Sequence, residues 1–336
     1  MVDKDDQFLH KSSEIKEAAL WIKNGDVIAF PTETVYGLGA NALDEEAIQN
    51  IFQAKGRPSD NPLIVHIAKE EQLKELVIDV PLVAKKLIHA FWPGPLTIIL
   101  KRTNSIAESV TAGLDTVGVR MPSHPIALTL IEAADVPIAA PSANQSGKPS
   151  PTSASHVIHD LNGKIAGVVD GGVTGVGVES TVVDCSVDRV ILYRPGGVTK
   201  EEIEAVIGPI EVDPSLQAET EAPRSPGMKY THYAPIGQLY VVSDCGKINN
   251  YVQEARAKGH RVGVLTTEER KAKYDADIVV ACGKRDDLST VAQKLYDSLR
   301  TFDQQKAEII YAEAFPKEGI GIAIMNRLEK AADAVI

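Results

Sequence analysis

The sequence predicts two α/β domains, the first built on a twisted mixed sheet and the second on a smaller parallel sheet. The chain has 336 residues, which is more than one typical core holds. Short apolar strands alternate with amphipathic helices along most of it. A proline-rich stretch with little periodicity separates two such regions. We therefore expect domains at 12–208 and 237–336, joined by an ordered linker at 209–236.

In the first region, helices and strands follow one another through short connections. A serine can cap the first helix, which ends at Asn24-Gly25, and Trp92-Pro93-Gly94-Pro95 closes the third. We expect helices at 12–24, 45–54, 80–91 and 127–134, and strands at 27–30, 63–67, 96–101, 116–120, 138–140, 167–170, 180–184 and 190–194.

The second region alternates strand and helix regularly, which predicts a small parallel, Rossmann-like sheet. We expect strands at 239–243, 262–266, 278–281 and 308–314, and helices at 248–258, 288–306 and 320–332. The linker before it carries Arg224 to Pro235, a segment too rich in tyrosine, histidine and cations to be a simple spacer.

The charge balance argues against a broad nucleic-acid surface. The net charge is −11, divided as −9 over residues 1–208 and −2 over 209–336. Neither half is basic, so a local basic pocket for a small anion fits better than an RNA or DNA footprint. Aromatic residues make up 5% of the chain, which disfavours stacking platforms for single strands.

Other features exclude further classes of protein. The three cysteines are far apart and lie in apolar contexts, so we expect buried thiols and a reducing, cytoplasmic setting. No zinc pattern, spaced carboxylate cluster or nucleophile elbow is present, and covalent catalysis is not indicated. No signal peptide or membrane span is expected from the acidic N-terminus and the short apolar runs.

Residues 31–66 carry the most chemical information. The strand at 27–30 runs into the hydroxyl-rich segment PTETVYGLG, and Lys55-Gly56-Arg57 follows sixteen residues after Gly39. Glycines let backbone N–H groups approach a ligand, and the two cations supply fixed positive charge. Together these features predict a concave site for a polyanion, although an isolated Lys-Gly-Arg is more often a solvated basic turn.

Three further segments are weaker signals by themselves. Residues 142–150 follow a strand and superficially resemble a phosphate loop, but Pro149 stands where a magnesium-binding hydroxyl would be. The glycine-rich segment 171–181 is either a tightly folded loop or a plain connection. Arg120 and His66 each end a strand. An arginine at that position suits a carboxylate or phosphate ligand. A lone histidine there is more often a polar residue whose hydrogen bonds are satisfied within the protein.

In this order, PTETVYGLG, Lys55-x-Arg57 and Ser142-x-Asn144 closely resemble the YrdC-like domain of threonylcarbamoyl-AMP synthases. The match runs from about residue 14 to 200. The linker SPGMKYTHYAP and the region after it resemble the two-domain form of that family. The resemblance implies a YrdC-like twisted sheet with a central cleft, followed by a Rossmann-like domain.

The resemblance also implies a reaction, that of a nucleotidyltransferase. L-threonine, bicarbonate or CO2, and ATP would give threonylcarbamoyl-AMP and pyrophosphate, with magnesium bound through the ATP phosphates. A separate transferase complex would then modify tRNAs that read ANN codons, so tight tRNA binding is not expected. Two alternatives stay open: a non-catalytic double-stranded RNA-binding module, and a carbamoyltransferase that acts on carbamoyl phosphate.

The residues that match the family motifs take their roles from the resemblance. Lys55 and Arg57 would be catalytic and clamp the triphosphate. The nucleotide site would also include Asn61, Thr116, Ser142, Asn144, Ser150, Arg194 and Tyr233. Threonine would be held by Thr34, His66, Arg120, Ala140 and Ser180, with Arg120 on its carboxylate. Tyr230 is an alternative to Tyr233, and the linker would act as a lid over the cleft.

Overall fold

The computed structural model describes residues 12–216 and 233–336. These residues divide into two compact units. The first contains residues 12–146, 151–175 and 179–216, and the second contains residues 147–150, 176–178 and 233–336.

The first unit is built on a sheet of ten strands among its described residues, and the sheet is mixed. The strands run in the order β10-β9-β8-β4-β5-β3-β6-β2-β1-β7. In chain order they are β1 (Ile28–Phe30), β2 (Gly37–Asn41), β3 (Ile64–His66), β4 (Leu96–Lys101), β5 (Thr116–Arg120), β6 (Ile138–Ala139), β7 (Gly167–Val168), β8 (Thr181–Asp184), β9 (Ile191–Arg194) and β10 (Glu211–Val212).

Eight helices pack around this sheet within the described residues. They are α1 (Ser13–Lys23), α2 (Glu45–Lys55), α3 (Leu73–Leu76), α4 (Leu82–Phe91), α5 (Glu108–Thr111), α6 (Pro125–Ala134), α7 (Ala154–Leu161) and α8 (Lys200–Ile207). Their starts follow local chemistry: Asp44 accepts hydrogen bonds from the backbone N–H groups of Glu46 and Ala47, and Thr199 forms a capping box with Glu202.

The glycines of PTETVYGLG do not form a ligand loop, which corrects our interpretation of that segment. Gly37 and Gly39 lie in β2, which pairs antiparallel with β1. A Cβ atom at Gly39 would lie 2.6 Å from the Phe30 ring and 2.7 Å from the Ile138 side chain. The glycine therefore makes room for two core side chains, and the polar turn is confined to residues 31–36.

The second unit has a five-stranded sheet in which all pairings are parallel, in the order β13-β12-β14-β11-β15. The strands are β11 (Gln238–Val242), β12 (Val262–Thr266), β13 (Ile278–Ala281), β14 (Ile309–Glu313) and β15 (Ala334–Val335). The helices are α9 (Ile248–Ala257), α10 (Leu288–Gln304) and α11 (Ile320–Ala331). The predicted fold class, a mixed sheet followed by a parallel one, is confirmed.

Several short elements were not predicted, namely β2, β10, β15, α3, α5, α7 and α8. Strand β10 and the 3₁₀ turn at Pro214–Leu216 place the first described residues of the predicted linker beside β9. Cys185 and Cys282 are buried as expected, but Cys245 is half-buried, so that prediction was wrong for one thiol. Across residues 12–216 and 233–336, no helix has the length and hydrophobicity to cross a bilayer.

Candidate active site

The turn after β1 is held by the hydroxyl of Thr32. Its Oγ1 atom accepts hydrogen bonds from the backbone N–H groups of Thr34 and Val35, at 3.2 and 3.3 Å, and donates to the Val35 carbonyl at 2.7 Å. It also lies 2.8 Å from Thr34 Oγ1. Side-chain bonds of this kind fix a tight turn. As a result, Thr34 is fully buried and its hydroxyl is held in one position.

Arg120 meets that hydroxyl from the end of β5. Its Nη1 donates to Thr34 Oγ1 at 3.0 Å, its Nε donates to the Gly94 carbonyl at 3.2 Å, and its Nη2 lies 2.5 Å from Glu33 Oε1. The guanidinium is buried, with 3% of the residue exposed. Since a buried charge needs a partner, Glu33 compensates Arg120 before any ligand binds. The predicted pair Thr34 and Arg120 is therefore in direct contact.

His66 lies beside Arg120 because β3 and β5 run parallel with these two residues in register. Its ring Nδ1 is 3.2 Å from the Ile64 carbonyl. Burial, and then the positive charge of Arg120, lower the pKa of His66 to about 3. The imidazole is consequently neutral at physiological pH, and Arg120 is the cation of this cluster.

Lys55 ends α2 and is buried, with 2% exposed. Its Nζ donates to the carbonyls of Ser142 and Asn144, at 2.5 and 2.7 Å, and to Asn144 Oδ1 at 3.3 Å. Burial, and then the nearby charge of Arg57, hold the pKa of this amine well below its usual range. Lys55, Ser142 and Asn144 are thus brought together as predicted, and the lysine organises the loop after β6.

The loop between α2 and β3 holds Arg57 and Asn61. Arg57 Nη2 donates to the Asn61 carbonyl at 3.0 Å. Asn61 is 1% exposed, yet neither polar atom of its side-chain amide has a hydrogen-bond partner within residues 12–216 and 233–336. Unsatisfied buried amides are uncommon in native proteins, so the Asn61 amide is a candidate for contact with a ligand.

A second cluster lies at β4, β8 and β9. Arg194 donates from Nε to the Ser180 carbonyl and from Nη2 to Ser180 Oγ, both at 3.0 Å. Ser180 Oγ is 2.8 Å from Thr97 Oγ1. Thr97 and the half-buried Thr116 border one small cavity. Ser180 was predicted on the threonine side and Arg194 on the nucleotide side, and the structure places the two in contact.

The remaining predicted residues are placed as follows. Ala140 is buried after β6, where its N–H donates to the Ile64 carbonyl at 2.9 Å. Ser150 and Tyr233 group with the second unit. The Tyr233 ring packs against Tyr296 with centroids 5.3 Å apart. Residues 217–232 of the predicted linker, which include Tyr230, lie outside the described residues.

Sequence reasoning missed Glu33, which lies within the motif it singled out. Besides its contact with Arg120, Glu33 has a second carboxylate oxygen, Oε2, that is buried and has no hydrogen-bond partner in the described part of the chain. It also missed Tyr36, whose hydroxyl donates to the Gly172 carbonyl at 2.7 Å and accepts from the N–H of Gly171 at 3.2 Å. Tyr36 thereby ties the glycine-rich loop to the turn.

The sheet order brings these groups to neighbouring strands. Strands β5, β3, β6 and β2 are adjacent. β5 ends in Arg120 and β3 ends in His66, whereas the loop that carries Ser142 follows β6 and the turn that carries Thr34 precedes β2. The arrangement has two parts. In one, the Arg120 guanidinium lies near the Thr34 hydroxyl and the Glu33 carboxylate. The other contains Lys55, Arg57 and the Asn61 amide, whose polar atoms have no partner among the described residues. The described residues contain no group of three His, Cys, Asp or Glu side chains placed to bind a metal.

Comparison with protein-family models matches both regions of the chain. Residues 21–196 match the Sua5/YciO/YrdC model, described as telomere recombination. Residues 198–333 match the model described as the threonylcarbamoyl-AMP synthase C-terminal domain.

Curated proteins match along nearly the whole chain. The threonylcarbamoyl-AMP synthase of Bacillus subtilis is 57% identical over 98% of this chain and 96% of its own. The enzyme of the same name from Pyrococcus abyssi is 50% identical over 95% of this chain and 94% of its own.

Solved structures agree with these matches. Pyrococcus abyssi Sua5 complexed with L-threonine has a TM-score of 0.92 and 47% identity, and the alignment covers 96% of each chain. Escherichia coli YciO matches over 55% of this chain and 89% of its own, with 28% identity and a TM-score of 0.50. The chain therefore belongs to the Sua5/YrdC family, in the two-domain form that carries a threonylcarbamoyl-AMP synthase C-terminal domain.

Proposed function

We propose that this chain is an L-threonylcarbamoyladenylate synthase, which uses L-threonine, CO2 or bicarbonate, and ATP. The observation that carries the proposal is the buried Arg120–Thr34 contact, in a fold similar to that of a Sua5 protein complexed with L-threonine. The product would serve the threonylcarbamoyl modification of tRNA by a separate transferase complex.

The Arg120 cluster is suited to an amino acid. Arginine binds carboxylates through parallel N–H donors, so the threonine carboxylate is expected to contact Arg120. Glu33 Oε2 has no partner among the described residues and can accept a hydrogen bond from the amino group. Neutral His66 adds a polar contact without a second positive charge. Ala140 and Ser180 remain predicted members of the threonine site.

Lys55, Arg57 and Asn61 are suited to the nucleotide. Lys55 is buried and donates hydrogen bonds to neutral oxygens, and the negative charge of a polyphosphate beside it would favour the charged form of its amine, which burial and Arg57 disfavour. The Asn61 amide would gain the partner it lacks. Thr116, Ser142, Asn144, Ser150, Arg194 and Tyr233 remain predicted nucleotide contacts. Magnesium would enter with ATP, bound through the ATP phosphates.

The chemistry then needs positioning more than a nucleophile from the protein. The threonine amine adds to CO2 and loses a proton, which gives a carbamate. A carbamate oxygen attacks the α-phosphorus of ATP, and the bond to the bridging oxygen breaks to release pyrophosphate. Fixed cations stabilise the negative charge that develops on the phosphates. Enclosure would protect the carbamate and the adenylate from water.

The test is pyrophosphate release by the purified full-length protein with magnesium and ATP. We expect release only when both L-threonine and bicarbonate are present. Lys55→Ala and Arg57→Ala should abolish it, whereas Lys86→Ala, at an exposed position of α4, should not. A folded, ATP-binding protein without threonine-dependent release would refute the proposal and favour RNA binding or carbamoyl-phosphate chemistry.

A further inference from the structure

The second unit contains a cavity of about 550 Å³ at the carboxyl end of its parallel sheet. Three loops border it: Ser243 to Gly246 after β11, Arg270 to Tyr274 after β12, and Arg285 after β13. This volume is within the usual range for small-molecule sites. Nothing in the proposed synthase reaction uses this cavity.

The strand order explains why a cavity forms here. Strands β12 and β14 are neighbours, and the chain leaves them in opposite directions: from β12 it continues to β13 at one edge of the sheet, and from β14 the helix α11 leads to β15 at the opposite edge. In open parallel sheets, ligands bind in the crevice at the carboxyl ends of strands where the connections diverge in this way. The cavity therefore lies where this topology most often places a ligand.

The cavity wall is strongly basic. Arg270, Lys273 and Arg285 all line it. Asp244, the acidic residue in the lining, accepts a hydrogen bond from the Gly246 N–H at 3.0 Å and lies 3.8 Å from Lys247 Nζ. The negative charge of Asp244 is therefore paired with Lys247, which is not one of the three cations that line the cavity.

Glu313 compensates only part of this positive charge. It is fully buried at the end of β14, and its Oε2 lies 3.3 Å from Arg270 Nη1 and 3.0 Å from Arg285 Nη1. Its Oε1 accepts hydrogen bonds from Thr266 at 2.7 Å and Tyr274 at 2.5 Å. Glu313 thus fixes the guanidinium groups of Arg270 and Arg285. Because Glu313 supplies one negative charge and Arg270, Lys273 and Arg285 supply three positive charges, two positive charges remain.

Lys273 adds a cation that the fold itself does not use. It is exposed, and among the described residues its ammonium group has no acidic partner within 4.0 Å. A phosphate monoester carries close to two negative charges at neutral pH and offers several acceptor oxygens. That charge matches the excess on the cavity wall.

We propose that this cavity, lined by Arg270, Lys273 and Arg285 around the buried Glu313, is a second ligand site that binds the phosphate group of a small phosphomonoester. The two arginines act as oriented donors held by Glu313, and Lys273 contributes charge at the entrance. The site lies within the second unit and is independent of the proposed synthase chemistry.

Cys245 provides a local reporter for binding. Its thiol lines the cavity and is half-buried, whereas Cys185 and Cys282, the other two cysteines, are buried. The rate of Cys245 alkylation by iodoacetamide, followed by peptide mass spectrometry on the full-length protein, therefore reports on this cavity. We expect inorganic phosphate and AMP to slow alkylation saturably, relative to chloride at equal ionic strength.

Matched variants identify the cations responsible. Lys273→Ala should raise the phosphate concentration for half-protection by about fivefold, the scale of one exposed charge contact. Lys271→Ala, exposed in the same 3₁₀ turn and absent from the lining, should leave it unchanged.

Three results would overturn the proposal. One is equal protection by phosphate and chloride. Another is equal protection by acetate, which would indicate general attraction of anions rather than a phosphate site. The third is the same half-protection concentration in Lys273→Ala and Lys271→Ala. For each variant, the rate of Cys245 alkylation is compared with and without phosphate. A substitution that changes the intrinsic reactivity of the thiol affects both rates equally and does not alter their ratio.

Discussion

Lys55 and Arg120 are both buried cations at the ends of elements in the first unit, but their charges are balanced differently. Arg120 has Glu33 at 2.5 Å, so its charge is paired within the protein. Lys55 donates hydrogen bonds only to neutral oxygens, and burial and the positive charge of Arg57 outweigh the attraction of Asp160, so that the pKa of its amine is lowered. A paired cation can stay buried without a ligand at little cost, whereas an unpaired one gains most when an anion binds. The comparison suggests that the nucleotide region depends on its ligand for charge balance, while the threonine region is balanced beforehand.

The largest expected effect comes from removing the unpaired cation. Lys55→Met should reduce threonine-dependent pyrophosphate release by at least about 100-fold, the scale seen when one transition-state donor is lost. Its melting temperature should fall modestly, because the carbonyls of Ser142 and Asn144 lose the donor that Lys55 supplies. Steady-state kinetics and circular dichroism check the two expectations. A variant that is active at the wild-type rate would contradict the role given to Lys55.

Removing the paired cation should act mainly on stability and on threonine binding. Arg120→Met leaves the partly buried carboxylate of Glu33, which is 14% exposed, without its partner, and this should cost up to about 3 kcal/mol in the free energy of unfolding. The double variant Arg120→Met/Glu33→Gln should recover most of that loss, yet its KM for threonine should stay high. Urea unfolding of the wild type, both single variants and the double variant measures the coupling. Additive losses would show that the two groups do not compensate each other.

A smaller effect is expected at Asn61, whose buried amide has no partner in the described part of the chain. Asn61→Ala removes no hydrogen bond made by that amide within those residues, so the free energy of unfolding should not fall. Binding of ATP should weaken by about tenfold, which corresponds to one lost hydrogen bond to a charged ligand. Titration calorimetry and urea unfolding test both parts. Unchanged ATP affinity would remove Asn61 from the nucleotide site.

The smallest effect at neutral pH is that of His66, because its influence on stability appears only in acid. The pKa of His66 is about 3 in the folded protein and about 6.5 when unfolded, so above pH 6.5 both states are neutral and the residue has no effect. As pH falls from 6.5 toward 3, the unfolded state takes up a proton that the folded state does not. Stability should therefore decrease by about 1.4 kcal/mol per pH unit from this group. His66→Asn should show a shallower decrease between pH 6 and about pH 4; equal slopes would contradict the low folded pKa.

The elements that the sequence predicted are those whose signals are local. The side-chain caps of α1 and α2, the apolar spacing of α1, α2 and α4, and the strand-helix alternation of the second unit are visible within ten to twenty residues. The pairing of Thr34 with Arg120 was predicted only through the family resemblance. Nothing near either residue indicates that β5 would bring them to within 3.0 Å.

The features that were missed depend on long-range contacts. Gly39 resembles a loop glycine until Phe30 and Ile138 are seen to fill the space beside it. Glu33 looks like an ordinary polar residue until Arg120 is placed beside it, 87 residues along the chain. The basic cavity of the second unit is assembled from three loops, and its arginines are recognisable only once Glu313 is found buried between them.

The central claim is most directly tested by isolating the product formed with ¹³C-labelled bicarbonate. The wild-type protein, given ATP, magnesium and L-threonine, should form threonylcarbamoyl-AMP that carries one labelled carbon, with one pyrophosphate released for each molecule of product. Omission of threonine should stop both. Pyrophosphate release without a labelled adenylate, or at the same rate without threonine, would contradict the assignment of this site to threonylcarbamoyl-AMP synthesis.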